Sequence, residues 1–323
     1  MKIKNNRFSN TVKNLIQKKE AIAFLGLIVI VAAFSIASPD SFLTTYNAMS
    51  IFRQTSINAI LAVGMTFVII SGGIDLSVSA IVSLSGVMAA VAMTQWGFGT
   101  LGGVAVGLCT GAAIGFINGV VIAKLDVPPI ITTLGTQTIA SGIALVITGG
   151  YSVTGLADSF SVIGRSNLGP IPVPALITVV MYIIGFIILN RRRFGTYTYG
   201  VGGNADATRL AGVSVEKTKI GVYVYSGLMA AVAGMILASR LNSGQPTAGS
   251  GLELNAIAAV VIGGASVAGG AGNIIGGLFG ALIMCVLTNG FDSLGLGRFY
   301  QMIFTGLILI GAVAAQKRKN FEK

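Results

Sequence analysis

Residues 76–123 read LSVSAIVSLSGVMAAVAMTQWGFGTLGGVAVGLCTGAAIGFINGVVIA and contain not one charged side chain. The hydrocarbon core of a bilayer is about 30 Å thick, and a helix of about 20 apolar residues crosses it. The run therefore accommodates two crossings, and Trp96-Gly97-Phe98-Gly99 supplies a break between them. A charge in hydrocarbon is expensive, so other uncharged runs mark further spans.

Working outward, such runs lie at 21–39, 54–74, 127–157, 166–190, 220–239, 254–291 and 299–316. The run 254–291 is again long enough for a hairpin, breaking near Gly269-Gly270-Ala271-Gly272-Asn273. The expected fold is an all-α membrane protein of about ten transmembrane helices. Composition agrees: the 323 residues are 54% hydrophobic and 10% charged, against about 25% charged in a soluble domain. A basic segment 1–20 and a basic tail 317–323 flank a single membrane domain, 21–316.

The net charge of +11 is distributed as membrane orientation demands rather than as a nucleic-acid surface. With both ends on the inner side, seventeen of the 21 basic residues fall inside: in 1–20, at Lys124, in 191–219 and in 317–323. Arg53, Arg165, Arg240 and Arg298 fall outside. That bias places both termini in the cytoplasm. Ser35 and Ala37 resemble a signal-peptide cleavage site, but cleavage would spoil the bias, so an uncleaved first helix is expected. Ahead of it, Phe8, Val12, Leu15 and Ile16 recur at helical spacing, which fits either an amphipathic helix on the inner leaflet or a solvated basic tail.

The chain also echoes itself. Gly73-Ile74-Asp75-Leu76-Ser77 is matched by Gly251-Leu252-Glu253-Leu254-Asn255. Each precedes an apolar hairpin with Gly107, Gly111 and Ala112 in one, Gly276, Gly280 and Ala281 in the other, closing on Asn118-Gly119 and Asn289-Gly290. Spans two to five thus pair with spans seven to ten. Corresponding helices stand five spans apart, an odd number, so the repeat is inverted, an arrangement that places a substrate path at the interface of the halves. The same glycines also allow plain close helix packing, and both readings can hold together.

Between spans six and seven, the loop 191–217 carries Arg191-Arg192-Arg193-Phe194-Gly195-Thr196-Tyr197-Thr198-Tyr199-Gly200-Val201-Gly202-Gly203-Asn204-Ala205-Asp206-Ala207-Thr208-Arg209-Leu210-Ala211-Gly212. Its glycines up to Gly203 read as turns. Asn204 is a good helix N-cap, Asp206 suits the first turn, and Gly212 suits the residue beyond the C-terminus, so a short helix is expected over 205–211. It looks built to dock.

This loop resembles the coupling loop of ribose-type ATP-binding-cassette importer permeases. Gly72-Gly73-Ile74-Asp75-Leu76-Ser77, Pro129 to Gly135, Gln245-Pro246-Thr247-Ala248-Gly249 with Glu253-Leu254, Ala256 to Gly272, and Tyr300-Gln301-Met302 are similar too. The likeness runs from about residue 20 to 316; Ser79 departs from it, standing where a glycine is expected. The resemblance implies a homodimeric permease in the bacterial plasma membrane, importing a monosaccharide, with ribose the best single expectation. A cytoplasmic ATPase would bind the loop through Gly195, Gly203, Asn204, Ala205, Asp206, Ala207, Arg209, Leu210 and Gly212, and an extracytoplasmic sugar-binding protein would dock opposite. No Gly-x-x-x-x-Gly-Lys-Ser/Thr phosphate loop is present, so ATP and Mg belong to that partner and this chain is expected to carry no cofactor.

Histidine is absent, which removes the commonest metal ligand and general base, so no catalytic centre is expected. Cys109 and Cys285 both sit in apolar runs and indicate no disulfide framework. Asn58, Asn118, Gln137, Asn255 and Asn289 are amides in or beside apolar spans, costly there unless bonded. They either line a path for sugar hydroxyls or bond neighbouring helices. Asp75 and Glu253 are placed as structural or gating acids, each beside a helix start where a carboxylate can hold free N–H groups. An ion-coupled secondary transporter, a scaffold without transport, or an importer of another sugar, a nucleoside or branched-chain amino acids are the rival readings.

Overall fold

The structure, a computed structural model, describes residues 19–321. The segment with Phe8, Val12, Leu15 and Ile16 lies outside the described residues. In chain order the helices are α1 (Lys19–Ala37), α2 (Pro39–Phe42), α3 (Thr45–Ile70), α4 (Val78–Thr94), α5 (Thr100–Lys124), α6 (Pro129–Thr148), α7 (Ser161–Arg165), α8 (Val173–Arg191), α9 (Arg193–Gly203), α10 (Ala205–Leu210), α11 (Val215–Leu241), α12 (Leu252–Ile262), α13 (Ile274–Ser293) and α14 (Arg298–Phe321). A two-residue hairpin, Asn167–Leu168 against Ile171–Pro172, is the one sheet among the described residues.

A helix occupies each of the ten expected span positions, and six of them, α3, α5, α6, α8, α11 and α13, are long and apolar enough to cross a membrane alone. The starts follow from local chemistry. Thr44 accepts from the Asn47 N–H at 3.1 Å, Ser214 from Lys217 at 3.3 Å, and Asn273 from Ile275 at 2.8 Å, each satisfying one amide orphaned at a helix start. Pro129 opens α6 at a position that needs no N–H donor.

Several boundaries moved. α3 begins at Thr45 rather than near residue 54, so Arg53 lies inside a helix instead of before one. Its guanidinium faces a polar cavity rather than lipid, which is why a charge does not end the span. α12 has only 11 residues, and 263–273 follows as loop, because Gly264, Gly269 and Gly270 take positive φ. The tail expected from 317 continues α14 as helix to Phe321.

α3 and α11 are the buried centre, each sheathed by other helices. α6 and α8 instead turn Ile130, Ile131, Leu134, Val179 and Ile183 outward, as lipid-facing helices do. Exchanging the halves preserves the packing: α5 lies on α11 and α13 on α3, while α4 pairs with α5 and α12 with α13. The first helices of the two halves are antiparallel. Arg53 near the start of α3 shares a cavity with Arg240 at the end of α11, while at the opposite end the last residue of α3, Ile70, meets α9 just ahead of α11. An inverted repeat requires this orientation.

The echoing glycines serve unequal purposes. Gly103, Gly107, Gly111, Gly115 and Gly119 form a buried stripe on α5; a Cβ at Gly111 or Gly115 would run into the Gly227 or Tyr223 carbonyl of α11. Their counterparts Gly276 and Gly280 press on Gly263 and Ala259, beside and within α12, instead. Close backbone approach, the driving contact between helices in lipid, is common to both halves; the partner helix is not.

Candidate coupling and translocation site

The stretch 193–203 is not a series of turns. It is the helix α9, and its glycines are spacing devices: a Cβ at Gly195 would strike the Leu189 backbone, and one at Gly202 the Ile70 carbonyl. α10 then forms over Ala205–Leu210 with Asn204 as N-cap, its Oδ1 accepting from the Ala207 N–H at 2.9 Å. Gly212 closes the segment at φ +81°, a conformation glycine adopts without cost. Asp206 and Arg209 pair at 3.0 Å across one exposed turn, and Leu210 is 90% exposed. Leu210 is thus a single exposed apolar side chain at the end of a six-residue helix.

α9 binds that segment to the bundle at one junction. The Tyr199 hydroxyl donates to the Gly272 carbonyl at 2.8 Å, and the Gly270 N–H donates to the Ile70 carbonyl at 2.9 Å. Burial raises the Tyr199 phenol above its ordinary value, keeping it a donor. The Gly203 and Gly270 backbones lie close enough that a Cβ on Gly270 would press on Gly203. So α9, the end of α3 and the loop between α12 and α13 meet at points where only main chain fits. Tyr199 was not among the residues read as functional, because an aromatic in a basic loop carries no pattern of its own.

The five amides separate into three environments. Asn58 and Asn255 line one polar cavity of about 410 Å³ with Gln54, Arg240 and Thr288, between α3, α11, α12 and α13. The Asn58 Oδ1 is buried with no hydrogen-bond partner, an unsatisfied acceptor beside the cavity. Gln137 lines a second cavity of about 170 Å³ with Glu253, Ser79 and Ser83, donating to Ser79 at 3.1 Å and to Glu253 at 3.4 Å. Asn118 and Asn289 instead bond neighbouring helices. Asn118 is fully buried, donating to the Ser77 hydroxyl at 2.8 Å and accepting from Thr136 at 2.7 Å. Asn289 and Asn47 exchange two amide bonds, at 2.9 and 2.7 Å.

Both acids hold helix starts. Asp75, completely buried, accepts from the Ser77 N–H at 3.0 Å and hydroxyl at 2.6 Å, ahead of α4. Its second oxygen takes the Ser226 hydroxyl of α11 at 2.8 Å, so it also clamps the two halves together. Glu253, in the first turn of α12, accepts from the Gly251 N–H at 3.0 Å. Among the described residues no cluster of three metal-ligating side chains occurs.

Residues 47–313 match the family described as branched-chain amino acid transport system / permease component. The chain belongs to this permease family. It is 44% identical over 299 residues to the ribose import permease of Bacillus subtilis, spanning 92% of each chain. With the ribose import permease of Escherichia coli K12 it shares 43% identity over 310 residues, 95% of each. The L-arabinose transport permease of the same E. coli strain is 40% identical over 301 residues, 92% of each. No solved structure matches the chain. The permease is thus a multi-pass membrane protein of the sugar-transport branch.

Proposed function

We propose that this permease imports a monosaccharide, ribose, as the membrane subunit of an ATP-binding-cassette importer. The observation that carries the coupling is the α9–α10 segment. It ends in a capped helix with Leu210 displayed, and it is joined to two parts of the bundle through Gly202 and Tyr199. An ATPase docked on Gly203 to Gly212 would move α9, and α9 would carry Ile70 and the 269–272 loop with it. Because those belong to opposite halves of the repeat, a displacement there changes how the halves lean on each other.

The cargo route runs through the cavity of Asn58 and Asn255 at the interface of the halves. Gln54, Asn58, Asn255 and Thr288 line it among apolar residues and no acid does; their amides and hydroxyl suit a neutral sugar passed along by hydrogen bonds that break easily. Relatives named for ribose favour that pentose, and those named for xylose and L-arabinose make another pentose the second reading. A binding protein delivers the sugar at the end holding Arg53 and Arg240, a second copy of the chain completes the channel, and both termini face the cytoplasm. ATP-dependent uptake by the reconstituted complex, with and without bulky residues at Gly203 and Ala207, tests the proposal.

A further inference from the structure

Arg53 and Arg240 come from different halves of the repeat yet line one cavity of about 450 Å³, with Tyr46, Ser50 and Asn167. Arg240 also lines the adjoining cavity that contains Asn58 and Asn255, so its side chain stands where the two meet. From Arg53 to Ile70 is 17 residues of helix, about 26 Å at 1.5 Å per residue. The arginines therefore sit at the far end from the α9 junction.

Neither charge is neutralised. No Asp or Glu lines either cavity, and the one ion pair among the described residues is Arg209 with Asp206. Arg53 donates to a neutral amide oxygen, Asn167 Oδ1, at 2.9 Å, and its Nε is buried without a partner. A partly buried charge without a counter-ion costs desolvation energy and persists where it has work to do. Neutral sugar recognition does not demand it, since amides and hydroxyls supply donors and acceptors at lower cost. A positive potential at a low-dielectric constriction, by contrast, repels cations strongly while leaving neutral solutes alone.

We propose that Arg53 and Arg240 form an electrostatic filter that keeps small cations out of the sugar path while it is open. The inference rests on the transport reading above and adds a selectivity residue pair to it. A cavity that opens wide enough for a pentose also admits small cations, which each turnover would carry inward with the sugar; positive charge at its entrance keeps them out. Placed between the outer cavity and the amide cavity, Arg240 guards the entrance, and Arg53 reinforces it from the facing helix.

The test is the permease reconstituted in liposomes with its ATPase and binding-protein partners, measuring labelled sugar uptake and sodium-22 influx together during ATP turnover. Wild type and Arg240→Lys, which keeps the charge, should show sodium influx no higher than protein-free liposomes. Arg53→Gln combined with Arg240→Gln should raise it by about tenfold or more at matched ATP turnover, and each single Gln variant should fall between. Neutral variants that import sugar and stay tight to sodium overturn the filter, as does a Lys variant that leaks like the Gln variant. Neutral variants that neither import nor leak also overturn it, since the arginines would then serve the fold or the sugar. Failure of the transport reading itself shows separately, as absent uptake in the wild-type arm.

Discussion

The Tyr199 hydroxyl stands 2.8 Å from the main-chain carbonyl of Gly272, to which it donates. One partner belongs to the helix ahead of the docking segment, the other to the loop between α12 and α13 in the second half of the repeat. This bond is a side-chain link in a junction where backbones also meet directly, at Gly202 with Ile70 and at Gly270 with Gly203. Tyr199→Phe removes the link without changing shape. A neutral hydrogen bond nets about 1 kcal/mol, a factor of about five in an equilibrium. Sugar imported per ATP hydrolysed should fall about fivefold in reconstituted vesicles, with ATPase binding unaffected.

Gly202 and Gly203 are neighbours with opposite tolerance. A Cβ at Gly202 would be driven into the Ile70 carbonyl, whereas at Gly203 the nearest atom is the Gly270 Cα at 3.9 Å. Gly202→Ala should cost about 1–3 kcal/mol of stability, read as a lowered thermal midpoint of the purified protein. Gly203→Ala should leave that midpoint within about 0.5 kcal/mol of wild type.

The short helix α10, its Asn204 cap and its Gly212 stop were legible because capping chemistry is local: the residues that satisfy the helix ends are adjacent in sequence. The helix α9 was not legible, since Gly195, Gly200, Gly202 and Gly203 read as turn residues until the neighbouring backbones that require them are known. Arg53 misled for the opposite reason. A charge normally ends a span, and nothing in the sequence near it announces the cavity that receives its guanidinium. The ten helix positions were legible from uncharged runs alone, but which amides face the cavity depends on partners far away. Asn289 meets Asn47, 242 residues distant, and no pattern near either foretells the pairing.

Asn289 and Asn47 form a closed, buried amide pair. Asn289→Ala strands the Asn47 amide and should destabilise the protein by about 1–3 kcal/mol. The double variant Asn47→Ala with Asn289→Ala should cost less than the sum of the two singles. Denaturation midpoints check both, and the sugar KM should not move, because neither residue lines the cavity of Asn58 and Asn255.

Asn58 and Asn255 should behave in the reverse way. Asn58→Val or Asn255→Val removes a hydrogen-bonding group from the cavity wall and should change the uptake KM about threefold to tenfold, with thermal stability held or improved. The Asn58 Oδ1 is buried without a partner already, so its loss relieves a desolvation cost rather than creating one.

Asp75 ties the start of α4 to Ser226 on α11. Asp75→Asn keeps an oxygen for the Ser77 N–H and places an amide that can donate to the Ser226 hydroxyl, so folding should survive. Asp75→Ala leaves the Ser77 and Ser226 groups unsatisfied and should cost about 1–3 kcal/mol, measured by yield and thermal midpoint in detergent.

We propose that the α9–α10 segment couples a partner ATPase to sugar import. Its most direct test is ATP-dependent uptake of labelled ribose by vesicles holding this permease, its ATPase and its binding protein, compared with Ala207→Trp in the docking helix. α10 has no buried residue, so the change should spare the fold. Uptake should require all three proteins and fall at least tenfold in the Trp variant. Uptake by the permease alone, driven by a proton or sodium gradient and indifferent to Ala207→Trp, would contradict it.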